Sequence, residues 1–263
     1  GDGVKRRVLS GILMLPLLLI VFFGGKVLLV GCFAVGILGV REFFAGFREI
    51  GVRPSHGIAY ASAAALYAIN VAGVPAQWHM LWFFGVTLAC LLYIFKVSER
   101  KIEDGAATLT GVFYVVFFSY HVALTDQASG FSAMVWLIFL TAFGTDIMAY
   151  FTGLAIGKHK LCPGISPKKT VEGAIGGVLG SVLFCGMFGY FFESGFLLHC
   201  IAIGALGGAV SQLGDLTASV FKRNMGIKDY GNLIPGHGGI LDRFDSVLFT
   251  APMVYYYIAL VLA

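Results

Sequence analysis

Charge is scarce in this chain. Only 12% of its 263 residues are Asp, Glu, Lys or Arg and 58% are hydrophobic, where a soluble domain carries about 25% charged residues. A water-soluble globular domain is excluded, and the mean hydropathy of +0.87 equally excludes a disordered chain, which stays unfolded by being polar. Cysteine is sparse too. Cys32, Cys90, Cys162, Cys185 and Cys200 lie far apart, with no C-x-x-C pair and no Cys/His grouping at zinc spacing, so neither a disulfide framework nor a zinc site is expected. The halves share no convincing internal repeat, which argues against an inverted-repeat transporter. Lys5-Arg6-Arg7 before an apolar run looks like a signal peptide, but no A-x-A-like cleavage site follows, and the run reads as a first span.

What the chain has is apolar runs. Nine can be read: Val8–Phe23, Val27–Phe47, Ile58–Val74, Met80–Phe95, Ala106–Leu124, Ala133–Leu154, Gly173–Phe192, Phe196–Ala218 and Phe244–Val261. They are too uniformly apolar for barrel strands, which alternate at every second residue, so the expected fold is an all-α polytopic membrane protein of about nine transmembrane helices. Residues 1–130 and 131–263 form two helical regions of one integrated membrane domain. Of the 18 Lys and Arg residues, all but Lys26 fall in the N-terminus, in the loops after spans two, four, six and eight, or on their flanks. By the positive-inside rule the N-terminus is cytoplasmic and the C-terminus external. Trp78 and Trp82, near the external end of span four, read as aromatic-belt residues. Small residues four apart in spans seven and eight (Gly173/Gly177, Gly176/Gly180, Gly204/Gly208, Gly207/Ser211) mark either tight helix packing or a homodimer seam.

Ionisable residues inside spans are costly and default to being functional. Asp146 lies in span six, Asp215 in span eight, and Asp242 and Asp245 at the start of span nine. At about 1.5 Å per residue all four fall near the inner interface, where they can share one site. Oxygen-only ligands favour a hard cation, Mg2+, with room for a second cation, and Asp215, Asp242, Asp245 and Asp146 are its candidate ligands. The Ser219–Asp245 stretch adds Lys222, Arg223, Lys228 and Arg243, a Pro235-Gly236-His237-Gly238-Gly239 turn, and Asp229. Cations, glycine backbone and a helix start suit polyphosphate. The loop from Lys158 to Glu172 repeats the theme, with Ser166, Lys168 and Lys169 just before a helix.

These residues carry a resemblance. Ser219, Lys222-Arg223, Lys228-Asp229, Gly231, Pro235, His237-Gly238-Gly239, Asp242-Arg243 and Asp245 are similar to the signature of the phosphatidate cytidylyltransferase (CDP-diacylglycerol synthase) family. The Ser166–Gly173 and Gly144–Asp146 segments look like family features as well, so the likeness covers roughly the last 125 residues. It implies Mg2+-dependent condensation of CTP with phosphatidic acid to CDP-diacylglycerol and pyrophosphate, in the cytoplasmic membrane with the active site facing inward. The bilayer is then a partner and nucleic acid is not. The residues expected to carry the chemistry are Asp215, Asp242, Asp245, Lys222, Arg223 and His237. Substrate contacts are expected from Ser166, Lys168, Lys169, Ser219, Lys228, Asp229, Gly236, Gly238, Gly239 and Arg243. A secondary transporter would need a site open to both sides near the midplane, and the runs D-x2-D-G of other lipid-phosphate transferases are not present.

Overall fold

The structure, a computed structural model, describes residues 16–233 and 238–263. Lys5, Arg6, Arg7 and the beginning of the first expected span lie outside the described residues, as do Pro235, Gly236 and His237. Residues 16–23 (α1) are helical. Among the described residues five segments are long and apolar enough to cross a membrane: Gly25–Glu49, Ile102–Asp126, Ser132–Ile156, Val171–Phe192 and Ser194–Asn224. Spans three and four of the sequence reading are the 17-residue helices His56–Ala72 and Gln77–Tyr93, each about 25 Å long at 1.5 Å per residue. The last is the shorter apolar helix Val247–Leu262. Among the described residues the regular structure is helical apart from one hairpin, and the chain divides into two units.

The first unit joins Lys26–Tyr120 to Asn224–Arg243. It contains α2 (Gly25–Glu49, from Lys26 onward), α3 (His56–Ala72), α4 (Gln77–Tyr93), α5 (Ile102–Thr110), a π-helical stretch Gly111–Phe117, the start of α6 (Phe118–Asp126) and most of α10 (Leu241–Phe244). Local chemistry sets the boundaries. Ser55 begins α3 by accepting a hydrogen bond from the Ile58 N–H, and Gly73 ends it at a positive φ of 59° that costs only glycine nothing. Asp104 holds the start of α5, its carboxylate accepting from the Lys101 N–H at 2.9 Å and the Arg53 N–H at 2.6 Å. Val40, Phe43, Phe44, Leu66, Val112, Val116 and Tyr120 are fully buried at the centre. Gly111 lies there because a Cβ would stand 2.2 Å from the Phe44 ring. Trp82 is a correction to the belt reading. It is buried, its indole N–H donates to the Ser62 carbonyl at 2.8 Å, and its ring packs among Phe83, Phe113 and Phe117. Burial with a partner for the N–H is the other stable setting for an indole.

The second unit joins His121–Arg223 to Phe244–Ala263, with Val21–Gly25. Its elements are α7 (Val135–Ile156), an antiparallel hairpin of β1 (Lys160–Cys162) and β2 (Ser166–Thr170), α8 (Val171–Phe192), α9 (Leu197–Asn224, to Arg223) and α11 (Val247–Tyr257), which continues as a π-helical turn Ile258–Leu262. The glycine pairs serve packing. A Cβ at Gly173 would come 2.8 Å from the Ala149 carbonyl and one at Gly177 3.0 Å from the Thr145 carbonyl, so α7 and α8 lie backbone against backbone, with Gly176 and Gly180 making room for the Thr152 and Met148 side chains. Gly204 and Gly208 bring α9 equally close to α8, where a Cβ would meet the Ser181 carbonyl and the Val178 Cα at 2.9 Å. Small-residue contact of this kind is how helices associate where lipid removes the hydrophobic drive between them. Thr250 of α11 donates to the Ile138 carbonyl of α7 at 3.1 Å and closes the group.

Candidate functional site

In the second unit, α7, α9 and the hairpin converge on a cavity of about 430 Å3. Its walls include Asp146 and Tyr150 from α7, Lys168 and Lys169 from β2, Gln212 and Asp215 from α9, and Thr170, Gly173 and Ala174 where α8 begins. Thr170 caps that helix by accepting from the Gly173 N–H at 3.1 Å. The cavity therefore opens onto a helix N-terminus, where backbone N–H groups and the helix dipole favour anions. Lys169 forms an ion pair with Asp215, side chains 26% and 27% exposed. At that depth the pair is screened less than a surface bridge.

Asp245 is buried, and the charges of Asp215, Asp146 and Lys222 all act on it. Its Oδ1 accepts from the Ser246 N–H at 2.7 Å. The contact with α9 depends on Gly214, since a Cβ there would lie 2.9 Å from the Asp245 carbonyl. The hairpin is tied down from both ends. Glu172 accepts from the N–H groups of Lys158 (3.1 Å) and His159 (3.2 Å) and meets His159 Nδ1 at 2.5 Å. Arg223 Nε donates to the Ile165 carbonyl at 3.3 Å. Ser166 lies on β2 and Ser219 one turn past Asp215 on α9. This unit thus gathers Asp146, Asp215, Asp245, Lys168, Lys169 and Lys222 of the residues expected from sequence.

In the first unit two carboxylates hold described residues on either side of 234–237, within 228–233 and 238–243. Asp242 accepts from the N–H groups of Tyr230 (2.8 Å) and Gly239 (2.9 Å). Glu42, on α2, accepts from the N–H groups of Ile240 (3.0 Å), just before α10, and Leu241 (2.9 Å), its first residue. Gly231 and Gly239 allow this approach, since a Cβ would stand 2.7 Å and 2.3 Å from the Glu42 carboxylate, and Gly238 turns the chain at φ 82°. Lys228 and Asp229 are exposed and Arg243 is half-buried. Asp242 therefore braces the loop through backbone donors, a use its spacing from Asp245 does not suggest. Glu42 went unnoticed in the sequence. The available signal was an acidic residue inside an apolar run, beside Arg41.

A family model described as Cytidylyltransferase family matches residues 5–261. This chain belongs to the cytidylyltransferase family. It is 36% identical over 295 residues to a protein of Synechocystis named phosphatidate cytidylyltransferase, covering 98% of this chain and 97% of that one. Relatives of the same name from Staphylococcus haemolyticus (34% identical; 95% and 97% covered) and Bacillus subtilis (29%; 98% and 98%) match equally fully. For a cytidylyltransferase the cavity composition is apt, with lysines and a helix N-terminus for phosphate oxygens and carboxylates for a hard cation. Among the described residues no group of three or more His, Cys, Asp and Glu side chains could by itself hold a metal ion. Mg2+ seldom uses such cages. It is bound through one or two carboxylates, with waters and substrate phosphates completing the octahedron, and Asp215 is a carboxylate on the cavity wall that could serve in this way.

Proposed function

We propose that this cytidylyltransferase condenses CTP with phosphatidate, giving CDP-diacylglycerol and pyrophosphate, at the cytoplasmic face of the cell membrane. The observation that carries this reading is the cavity of the second unit, where Lys168, Lys169, Asp215 and Asp146 surround the start of α8, in a chain that relatives named phosphatidate cytidylyltransferase match almost from end to end. The cation distribution supports nine spans with the N-terminus inside.

In this reading Lys168, Lys169 and the first N–H groups of α8 take the triphosphate. Lys169 exchanges its partner Asp215 for a phosphate oxygen, and the carboxylate becomes available to a cation. Mg2+ held by Asp215 and Asp245 near Asp146 would neutralise phosphate charge and help orient the leaving group. A phosphatidate oxygen attacks the α-phosphorus in line. The new P–O bond forms as the bond to the β-bridging oxygen breaks, and pyrophosphate departs with the electron pair. Because a phosphate monoester has a second pKa of about 6, the nucleophile is already an anion at neutral pH, and no side chain need act as a strong base. Lys222 and Arg223 at the end of α9 balance the negative charge that gathers, so catalysis is mainly positioning and electrostatics.

The test follows labelled CTP with purified protein in mixed micelles. Pyrophosphate and labelled CDP-diacylglycerol should appear together, only when phosphatidate and a divalent cation are both present. Asp245→Asn should lower the rate at least about a hundredfold, about 2.7 kcal/mol of barrier. Pyrophosphate release without phosphatidate would refute the reaction, and an Asp245→Asn rate within about threefold of the parent would refute the carboxylate's role.

A further inference from the structure

The first unit holds a cavity of about 690 Å3 that the proposed reaction does not use. Arg48, Arg53, Arg100, His56 and Tyr93 line it, and no acidic residue does. Three arginines border one space, and their like charges repel one another. Among the described residues none of the three has a carboxylate within ion-pair distance. Their mountings are nonetheless fixed. The Arg53 N–H donates to Asp104 at 2.6 Å and its carbonyl accepts from the Tyr93 hydroxyl at 3.0 Å. The Arg100 guanidinium stacks 4.6 Å above the Tyr93 ring, and Arg48 Nη2 donates to His56 Nδ1 at 3.3 Å. The positive-inside rule accounts for arginines in and beside the α2–α3 and α4–α5 connections but does not require them to converge on a cavity with a braced backbone.

We propose that this cavity is a binding site for the phosphate headgroup of an anionic lipid. Arginine is the side chain best suited to phosphate oxygens, since its fork donates two parallel hydrogen bonds. Ser55 and His56 add the N-terminus of α3, a 17-residue helix whose first N–H groups favour an anion. The choice of a lipid over a soluble phosphate rests on what flanks the site. Ile50, Phe95 and Ile102, close in sequence to lining residues, are large apolar side chains exposed to the surroundings, as expected beside a headgroup whose acyl chains continue into the bilayer. This assignment is independent of the reaction proposed above.

Dioleoylphosphatidylglycerol is the suitable probe, because its phosphodiester lacks the free monoester that the reaction needs. Its binding to the full chain in detergent, without CTP, is titrated by native mass spectrometry against dioleoylphosphatidylcholine, with inorganic phosphate as a competitor. The parent should prefer the anionic lipid by about tenfold or more, the scale expected for two or three arginines near a headgroup. Arg53→Gln with Arg100→Gln should abolish the preference, and the corresponding pair of Arg→Lys changes should restore part of it. Lys96→Gln with Lys101→Gln removes the same charge from the connection between α4 and α5 that carries Arg100, outside the cavity, and should leave the preference intact. Thermal midpoints within a few degrees of the parent establish that each variant is folded. Absence of a preference in the parent, or equal losses in the arginine and lysine pairs, overturns the site. Competition by millimolar phosphate with no preference between the lipids overturns the lipid and leaves a soluble anion as the ligand.

Discussion

Glu42 offers the sharpest way to ask whether the loop from Lys228 to Arg243 must be held in shape for catalysis. Its carboxylate accepts two backbone hydrogen bonds, from Ile240 and Leu241, across a sequence separation of 198 and 199 residues. A hydrogen bond to a charged group contributes about 1.5–3 kcal/mol. Glu42→Gln keeps one acceptor oxygen and turns an amide N–H toward the other donor, so it should cost about 2 kcal/mol of loop order, and Glu42→Ala, which strands both donors, about 4 kcal/mol. If the braced loop is the active form, turnover should fall about thirtyfold in the first variant and to near background in the second. Amide exchange at residues 228–233 and 238–243 should rise in the same order. Gly239→Ala attacks the same contact from the other side, since its Cβ would stand 2.3 Å from the carboxylate. The double variant with Glu42→Gln should therefore lose much less than the sum of the two. Formation of CDP-diacylglycerol by Glu42→Ala within about threefold of the parent, with exchange in the loop raised, would refute the link between bracing and turnover.

Three further outcomes are expected. Lys169→Gln removes the counter-charge of Asp215 and a proposed phosphate contact, and should raise the KM for CTP about tenfold or more, as loss of a charge-assisted bond would, which steady-state kinetics at saturating phosphatidate measures. Asp104→Ala frees two N–H donors in a buried setting and should cost about 2–4 kcal/mol, read as a lowered thermal midpoint in detergent. Gly208→Ala drives a methyl group to within 2.9 Å of the Val178 Cα, while Gly186→Ala meets only a side-chain carbon at 3.4 Å. The first should lose about 1–3 kcal/mol of stability and the second should be nearly neutral, in the same melting experiment.

The helices and the main carboxylates were legible because an apolar background makes them stand out. Asp146 and Asp215 interrupt long hydrophobic runs, and the structure places both on the wall of one cavity. The lysines of the second loop read as phosphate contacts from composition, but the hairpin that presents them did not, because Pro163-Gly164 and Pro167 resemble an unstructured connection. Asp242 accepts from the N–H groups of Tyr230 and Gly239, partners that a position at the start of a span does not reveal. Glu42 and Trp82 show the general limit. Each is explained by a partner remote in sequence, and hydrophobic periodicity carries no trace of which backbone group that partner will be.

The glycines of α8 and α9 have a consequence for how accurately the reacting charges are placed. A side chain that meets another through several rotatable bonds tolerates sliding, whereas backbone seated on backbone does not. Gly173, Gly177, Gly204 and Gly208 each meet a main-chain atom of a neighbouring helix within about contact distance. Slippage by one helical turn would carry Asp146 or Asp215 about 5.4 Å along its axis, more than the length of an ion pair. The tolerances of the charged cluster are thus set by residues that have no side chain and touch no substrate. Grafting the aspartates and lysines onto another helical bundle without that seam would transfer the functional groups and lose their spacing.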